Sequence, residues 1–142
     1  QGYNAEEREI SFQEGLSLEE TRIKEAMDKL HSDPYNSARH LSNYGYRRKG
    51  EYAQHIKRWL EYFPLEHFHF MEFSDITSNN EEAYHQLFHF LGVDPIKPKR
   101  IIKQNVTDYN STMDVSTKNE LKDYFAPHNE ELFELIGQRY QW

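Results

Sequence analysis

Residues 44–76 read YGYRRKGEYAQHIKRWLEYFPLEHFHFMEFSDI. Arg47, Arg48, Lys49, Lys57 and Arg58 fall within twelve positions, and no further Lys or Arg occurs from 59 through 96. Between the two basic groups a helix begins near Gly50. Tyr52, Ile56, Trp59, Leu60 and Phe63 recur at i, i+4, i+7, i+8 and i+11, which gathers them into one apolar stripe with Lys57, Arg58 and Glu61 off it. Pro64 closes this helix, since proline removes a donor and clashes with the preceding turn. The run HFHFMEF, 67–73, is short, aromatic and bounded by Pro64 and Ser74, so it reads as a β-strand. Large residues on both its faces suit a buried strand. Glu72 and Asp75 follow at its end, either as an acid pair or as caps of the next turn.

Outward from this stretch the pattern is helical. Ser11 with Glu14, and Ser17 with Glu20, have the spacing of a capping box. Leu16, Ile23, Met27 and Leu30 then share a face of a helix over 11–30. HSDPYNS ends it, because Pro34 biases Asp33 away from helical angles. A third helix fits NNEEAYHQLFHFLGV, 79–93, with Asn79 or Asn80 as cap, Glu81 and Glu82 complementing the N-terminal dipole, and Gly92 as terminator. Residues 93–115 carry Pro95 and Pro98 without apolar period and read as a long loop, a length usually functional or disordered. A last helix opens on Thr117 and Glu120, breaks or kinks at Pro127 and stops at Gly137. One strand is not a sheet. Its partners must come from another chain, from a missing segment or from the weaker candidate RIIKQ, 100–104.

Composition narrows the function. The chain has 142 residues, enough for one domain or a piece of a larger one, and a formal net charge of −7. That balance speaks against a general nucleic-acid binder. Its mean hydropathy is −0.99, no apolar run reaches the roughly 18 residues of a membrane span, and the polar N-terminus lacks a secretory pattern. The absence of cysteine removes disulfides, zinc–thiolate sites and thiol catalysis, and favours a cytoplasmic setting. Asn105 and Asn110 sit in glycosylation sequons that arise readily by chance. His85 and His89, and His67 and His69, have workable ligand spacings but no third ligand at a telling distance, so no metal site is assigned. All six glycines are isolated, which leaves no phosphate-cradling loop. Two basic patches, 47–58 and Lys97, Lys99, Arg100 and Lys103, are either solvated loop faces or sites for a compact anion.

Four fragments in order carry a resemblance: SFQEGLSLEETRI, then YRRKGEYAQHIKRWLEYFPLEHFHFMEFSDI, then AYHQLFHFLGV, then LKDYFAPHNEELFELIGQRYQW. Together they resemble the second half of a sulfotransferase that uses 3′-phosphoadenosine 5′-phosphosulfate, of the bacterial and heparan-sulfate type. The resemblance spans nearly all of residues 3–142. It implies an α/β, P-loop NTPase-like fold, with residues 1–142 as the mostly helical carboxyl-terminal portion of a single domain. The loop that holds the phosphosulfate, the Arg and Ser that bind the 3′-phosphate and the catalytic base would precede Gln1, so no catalytic residue is assigned. The resemblance places Lys103, Asn105 and Arg100 on the donor nucleotide, and Tyr52 near its adenine. The 97–109 loop lacks the Arg-Lys-Gly of cytosolic members and the Ser-Lys-Gly-Arg of heparan-type ones. RRKG at 47–50 precedes the helix, which makes Arg47, Arg48 and Lys49 an acceptor-side or surface patch. The implied partners are the donor nucleotide, an unspecified acceptor and the missing amino-terminal half. The rival reading is a non-catalytic helical interaction module, a degenerate remnant of such an enzyme.

Overall fold

The computed structural model describes residues 10–78, 81–96 and 112–141. Among the described residues six helices follow in order: α1, Phe12–Asp28; α2, Pro34–Tyr44; α3, Tyr52–Leu60; α4, Phe73–Thr77; α5, Glu81–Leu91; and α6, Val115–Ile136. Single 3-10 turns at Arg48–Gly50 and Leu65–His67 introduce α3 and the segment after it. Three pairings organise these elements: α1 against α2, α3 against α6, and α4 against α5.

The start of α1 follows the capping chemistry of its sequence. The Ser11 hydroxyl oxygen accepts from the Glu14 N–H at 3.2 Å, satisfying one of the four orphan donors of a helix start. Ser17 is no second cap: it lies inside α1 and donates to the Glu14 carbonyl at 2.8 Å. Leu16, Ile23 and Ala26 are buried, each of the larger two contributing about 1.5–3 kcal/mol by leaving water. Met27, expected on the same face, is exposed.

HSDPYNS does end α1, and it also starts α2. Asp33 caps that helix through Oδ1, which accepts from the Asn36 N–H at 3.3 Å. Pro34 occupies the first turn, where a missing N–H costs nothing. At the far end, Gly45 is required by packing, since a Cβ there would lie 2.9 Å from the Leu41 carbonyl oxygen.

The expected strand needs correction. Phe68 (φ −114°, ψ 137°) and Glu72 (φ −76°, ψ 138°) are extended, yet no ladder forms among the described residues. His67 belongs to the preceding 3-10 turn and Phe73 opens α4, so 68–72 connect the two outside regular secondary structure, extended at Phe68 and at Glu72. The physical reason is that a strand is defined by hydrogen bonds to a neighbour, and the described residues offer none. The stripe of α3 is likewise only partly covered. Ala53 is buried and Ile56 and Leu60 are partly buried, but Tyr52, Trp59 and Phe63 are exposed.

α6 is one helix rather than two, and it starts earlier than expected. Asp114, not Thr117, is the cap: Oδ1 accepts from the Thr117 N–H at 3.0 Å. Hydrogen bonds from the Ser116 and Thr117 side chains, then from the Thr117 backbone, hold the Asp114 carboxyl well below the usual range. Pro127 sits within α6 without dividing it. Gly137 ends the helix in the left-handed region (φ 68°), its N–H donating to the Phe133 carbonyl at 2.9 Å.

Candidate functional site

The turn between α2 and α3 carries RRKG, and a buried acid decides how it is presented. Glu19 falls on the apolar face of α1, between Leu16 and Ile23, and is 2% exposed. Its carboxylate accepts from the Arg47 N–H at 3.0 and 3.1 Å, the Arg48 N–H at 3.3 Å and Arg47 Nε at 3.1 Å. Arg47 Nη2 donates to the Leu16 carbonyl at 3.0 Å. The guanidinium lies 5.1 Å from the centre of the Tyr124 ring, an arrangement the ring's quadrupole favours. Tyr124 in turn donates its hydroxyl to Glu51 Oε1 at 2.6 Å. Burial, then the hydrogen bond to Glu51, then that residue's charge push the Tyr124 phenol up to about 12.

This cluster fastens α1, the turn, the start of α3 and α6 to one another. Gly50 allows the close fit: a Cβ would stand 2.6 Å from Phe125 Cε1. Beside the cluster opens a cleft of about 530 Å³ whose walls include Glu20, Ile23, Lys24, Arg48, Gln54 and Tyr124. Its lining carries both signs of charge beside the apolar Ile23 and Met27. A second feature lies at the end of the 68–72 connection. Tyr140 is pushed up by burial and then by the charges of Glu72 and Asp75. The Glu72 side chain makes no cap hydrogen bond to α4.

Residues 13–141 match the family model described as the sulfotransferase domain. The chain belongs to the sulfotransferase family. It is 30% identical over 99 residues to the membrane-associated sulfotransferase kil1 of Dictyostelium discoideum, an alignment covering 70% of this chain and 21% of that protein. It is 24% identical over 141 residues to heparan sulfate glucosamine 3-O-sulfotransferase 5 of Mus musculus, covering 81% of this chain and 39% of that one. Heparan sulfate glucosamine 3-O-sulfotransferase 6 of Homo sapiens is 24% identical over 123 residues, with 67% and 34% covered. The chain thus spans about a fifth to two fifths of the length of these curated relatives. No solved structure matches it significantly.

Within this sulfotransferase chain, the residues singled out from sequence separate into three groups. Arg47 turns inward onto Glu19. Arg48 and Lys49 are exposed, and their side chains make no hydrogen bond or ion pair among the described residues. Tyr52, half-exposed, stands on the first turn of α3. Arg100, Lys103 and Asn105, like the sequon residue Asn110, lie outside the described residues. No group of three or more metal-ligating side chains exists among the described residues, and no described helix is long and apolar enough to cross a membrane. Sequence reasoning missed Glu19, Glu51 and Tyr124. For Glu19 the signal was present: a carboxylate in register on an otherwise apolar face must have a buried partner.

Proposed function

We propose that these residues are the carboxyl-terminal portion of a single sulfotransferase domain, of α/β, P-loop-like fold, that moves a sulfuryl group from 3′-phosphoadenosine 5′-phosphosulfate to a hydroxyl or amine. The family match over residues 13–141 carries this reading. The acceptor oxygen or nitrogen attacks sulfur in line. The bond from sulfur to the 5′-phosphate oxygen breaks, its electron pair leaves with adenosine 3′,5′-bisphosphate, and the acceptor proton passes to a base outside these residues. Fixed cations stabilise charge on the transferring group and leaving phosphate, as in phosphoryl transfer.

Arg100, Lys103 and Asn105 would hold the donor's phosphates, and Tyr52 would line the adenine side. Arg48 and Lys49 would meet an acceptor that bears its own anionic groups, a chemistry in keeping with the heparan sulfate glucosamine named for two relatives. Arg47 would act through the turn, its own charge being engaged by Glu19.

Calorimetric titration with adenosine 3′,5′-bisphosphate tests the reading, using this chain and a longer chain that includes the upstream half of the domain. Binding is expected in the longer chain and not in the 142 residues alone. Replacing Lys103 or Arg100 by Ala should weaken it by about tenfold or more, the worth of one charge-assisted hydrogen bond. Absence of binding in the longer chain would overturn the enzyme and leave the helical interaction module, the alternative favoured by exposed Tyr35, Tyr62 and Phe73.

A further inference from the structure

The backbone that carries Arg48 and Lys49 is gripped from three helices. On the α1 side, Glu19 Oε1 accepts from the Arg47 and Arg48 N–H groups at 3.0 and 3.3 Å, and Oε2 accepts from the Arg47 N–H and Nε, each at 3.1 Å. On the α3 side, His55 Nε2 donates to the Arg48 carbonyl at 2.9 Å, and the proton sits on that nitrogen because a carbonyl only accepts. On the α6 side, Gly50 lies so close to Phe125 that a Cβ would not fit. Within the turn, the N–H groups of Lys49, Gly50 and Glu51 donate to the carbonyls of Gly45, Arg47 and Arg48 at 3.3, 2.8 and 3.3 Å. Every N–H from 47 through 51 therefore has a partner. The side chains are the reverse: those of Arg48 and Lys49 are exposed and make no hydrogen bond or ion pair among the described residues.

A turn on the surface does not need a buried carboxylate to keep its shape, since water can satisfy its amides. A charge withdrawn from water carries a desolvation penalty that an apolar side chain between Leu16 and Ile23 would avoid. What the carboxylate adds is direction. Its two oxygens fix consecutive amides and the first guanidinium together, so the roots of the next two cations leave the turn from set positions. Roots fixed in advance reduce the ordering that a ligand must otherwise impose on long side chains.

We infer that Glu19 is a positioning residue for the acceptor, acting through the backbone at 47 and 48 to set how Arg48 and Lys49 meet its anionic groups. The inference rests on the reading of those two residues as the acceptor-side patch. Glu19 itself, 2% exposed, is out of a ligand's reach.

Calorimetric binding of a heparan sulfate oligosaccharide to the longer chain that includes the upstream half tests this, because charge and position predict opposite signs. By Coulomb's law alone, Glu19→Gln deletes a negative charge near two cations and should tighten an anion. As a positioning residue it should do the opposite. Gln keeps one acceptor oxygen but sets an amide donor against Arg47 Nε, so binding should weaken about threefold to tenfold, beside about tenfold for Arg48→Ala. Glu19→Asp keeps the charge, shortens the reach and should weaken binding by about threefold; it carries the test if the Gln variant does not fold. In an Arg48→Ala background the loss from Glu19→Gln or Glu19→Asp should shrink to about twofold or less.

Tighter or unchanged binding in the Glu19 variants overturns the inference. So does a loss that persists in full beside Arg48→Ala, the mark of a structural effect alone, and so does a parent chain that does not bind the oligosaccharide. Adenosine 3′,5′-bisphosphate titrated into the same chains keeps the functional reading separate. Its affinity should stay within about twofold in Glu19→Asp, since that variant leaves the charge in place. A Glu19→Asp chain that loses nucleotide and oligosaccharide alike would show a role in stability only and overturn the inference. A parent chain that binds the oligosaccharide but no nucleotide would defeat the enzyme and leave the positioning of the two cations standing.

Discussion

Two regions of this chain treat their polar groups in opposite ways. Around Glu19, a buried carboxylate, a guanidinium, a phenol and a second carboxylate find partners on one another or on nearby backbone across four elements. At 68–72, a connection extended at both ends, the backbone groups between those ends have no partner among the described residues, and neither does a shielded imidazole nitrogen beside them. Burying a polar group is tolerable only when its bonds to water are replaced. The first region meets that condition with what the chain provides; in the second, His69 Nε2 does not meet it among the described residues. Exposed Trp59 and Phe63 on α3 likewise leave apolar surface in water.

The contrast can be broken most forcefully at Glu19. Glu19→Ala removes the charged acceptor of Arg47 Nε and of two backbone N–H groups, and should lower stability by about 3 kcal/mol or more, read from urea unfolding. A loss under 1 kcal/mol would mean that the cluster is not the keystone described. Next in size, Gly50→Ala drives a Cβ into the Phe125 ring and should cost about 2 kcal/mol; the cost should shrink in a Phe125→Leu background.

Tyr124→Phe removes the hydrogen bond to Glu51 and should cost about 1 kcal/mol near neutral pH. Its pH dependence sharpens the test. Because the folded-state pKa is raised to about 12 from an ordinary 10 or so, the stabilisation is complete below about pH 10 and is lost as pH rises through about 12. Thermal midpoints of the parent chain should therefore fall more steeply over that window than those of the variant. The smallest effect belongs to the other region. His69→Leu deletes an unpartnered nitrogen while keeping an apolar body, so the 142-residue chain should change by less than about 1 kcal/mol, in the stabilising direction. Clear destabilisation would show that His69 already has a partner.

Local signals made much of the fold legible. Ser11 with Glu14, Gly92 and Gly137 marked helix ends that the structure uses, because caps act through neighbours in sequence. α2 escaped notice because Asp33-Pro34 both stops one helix and starts the next, and because its buried residues, Ser37 and Tyr44, form no apolar stripe. The aromatic residues at 68–72 read as a strand, but only Phe68 and Glu72 are seen extended and no pairing forms among the described residues, since pairing depends on residues distant in sequence. For the site, RRKG stood out by charge. That Arg47 would be spent inward and Arg48 and Lys49 left outward depended on Glu19, twenty-eight positions away, beyond the reach of any spacing rule.

α6 deserves its length. Thr117 near its start accepts from Gln13 of α1, Tyr124 reaches the buried cluster, Glu131 pairs with Lys57 of α3, and beyond Gly137 its tail brings Tyr140 against Phe133. These attachments are strung along roughly 33 Å of a single rotor, at 1.5 Å and about 100° per residue. Adding or removing one residue between Tyr124 and Glu131 would turn one end out of phase with the other by that angle. No side-chain adjustment could restore both. The two ends are thus kept in step by an integer number of residues, and the permitted slip is zero.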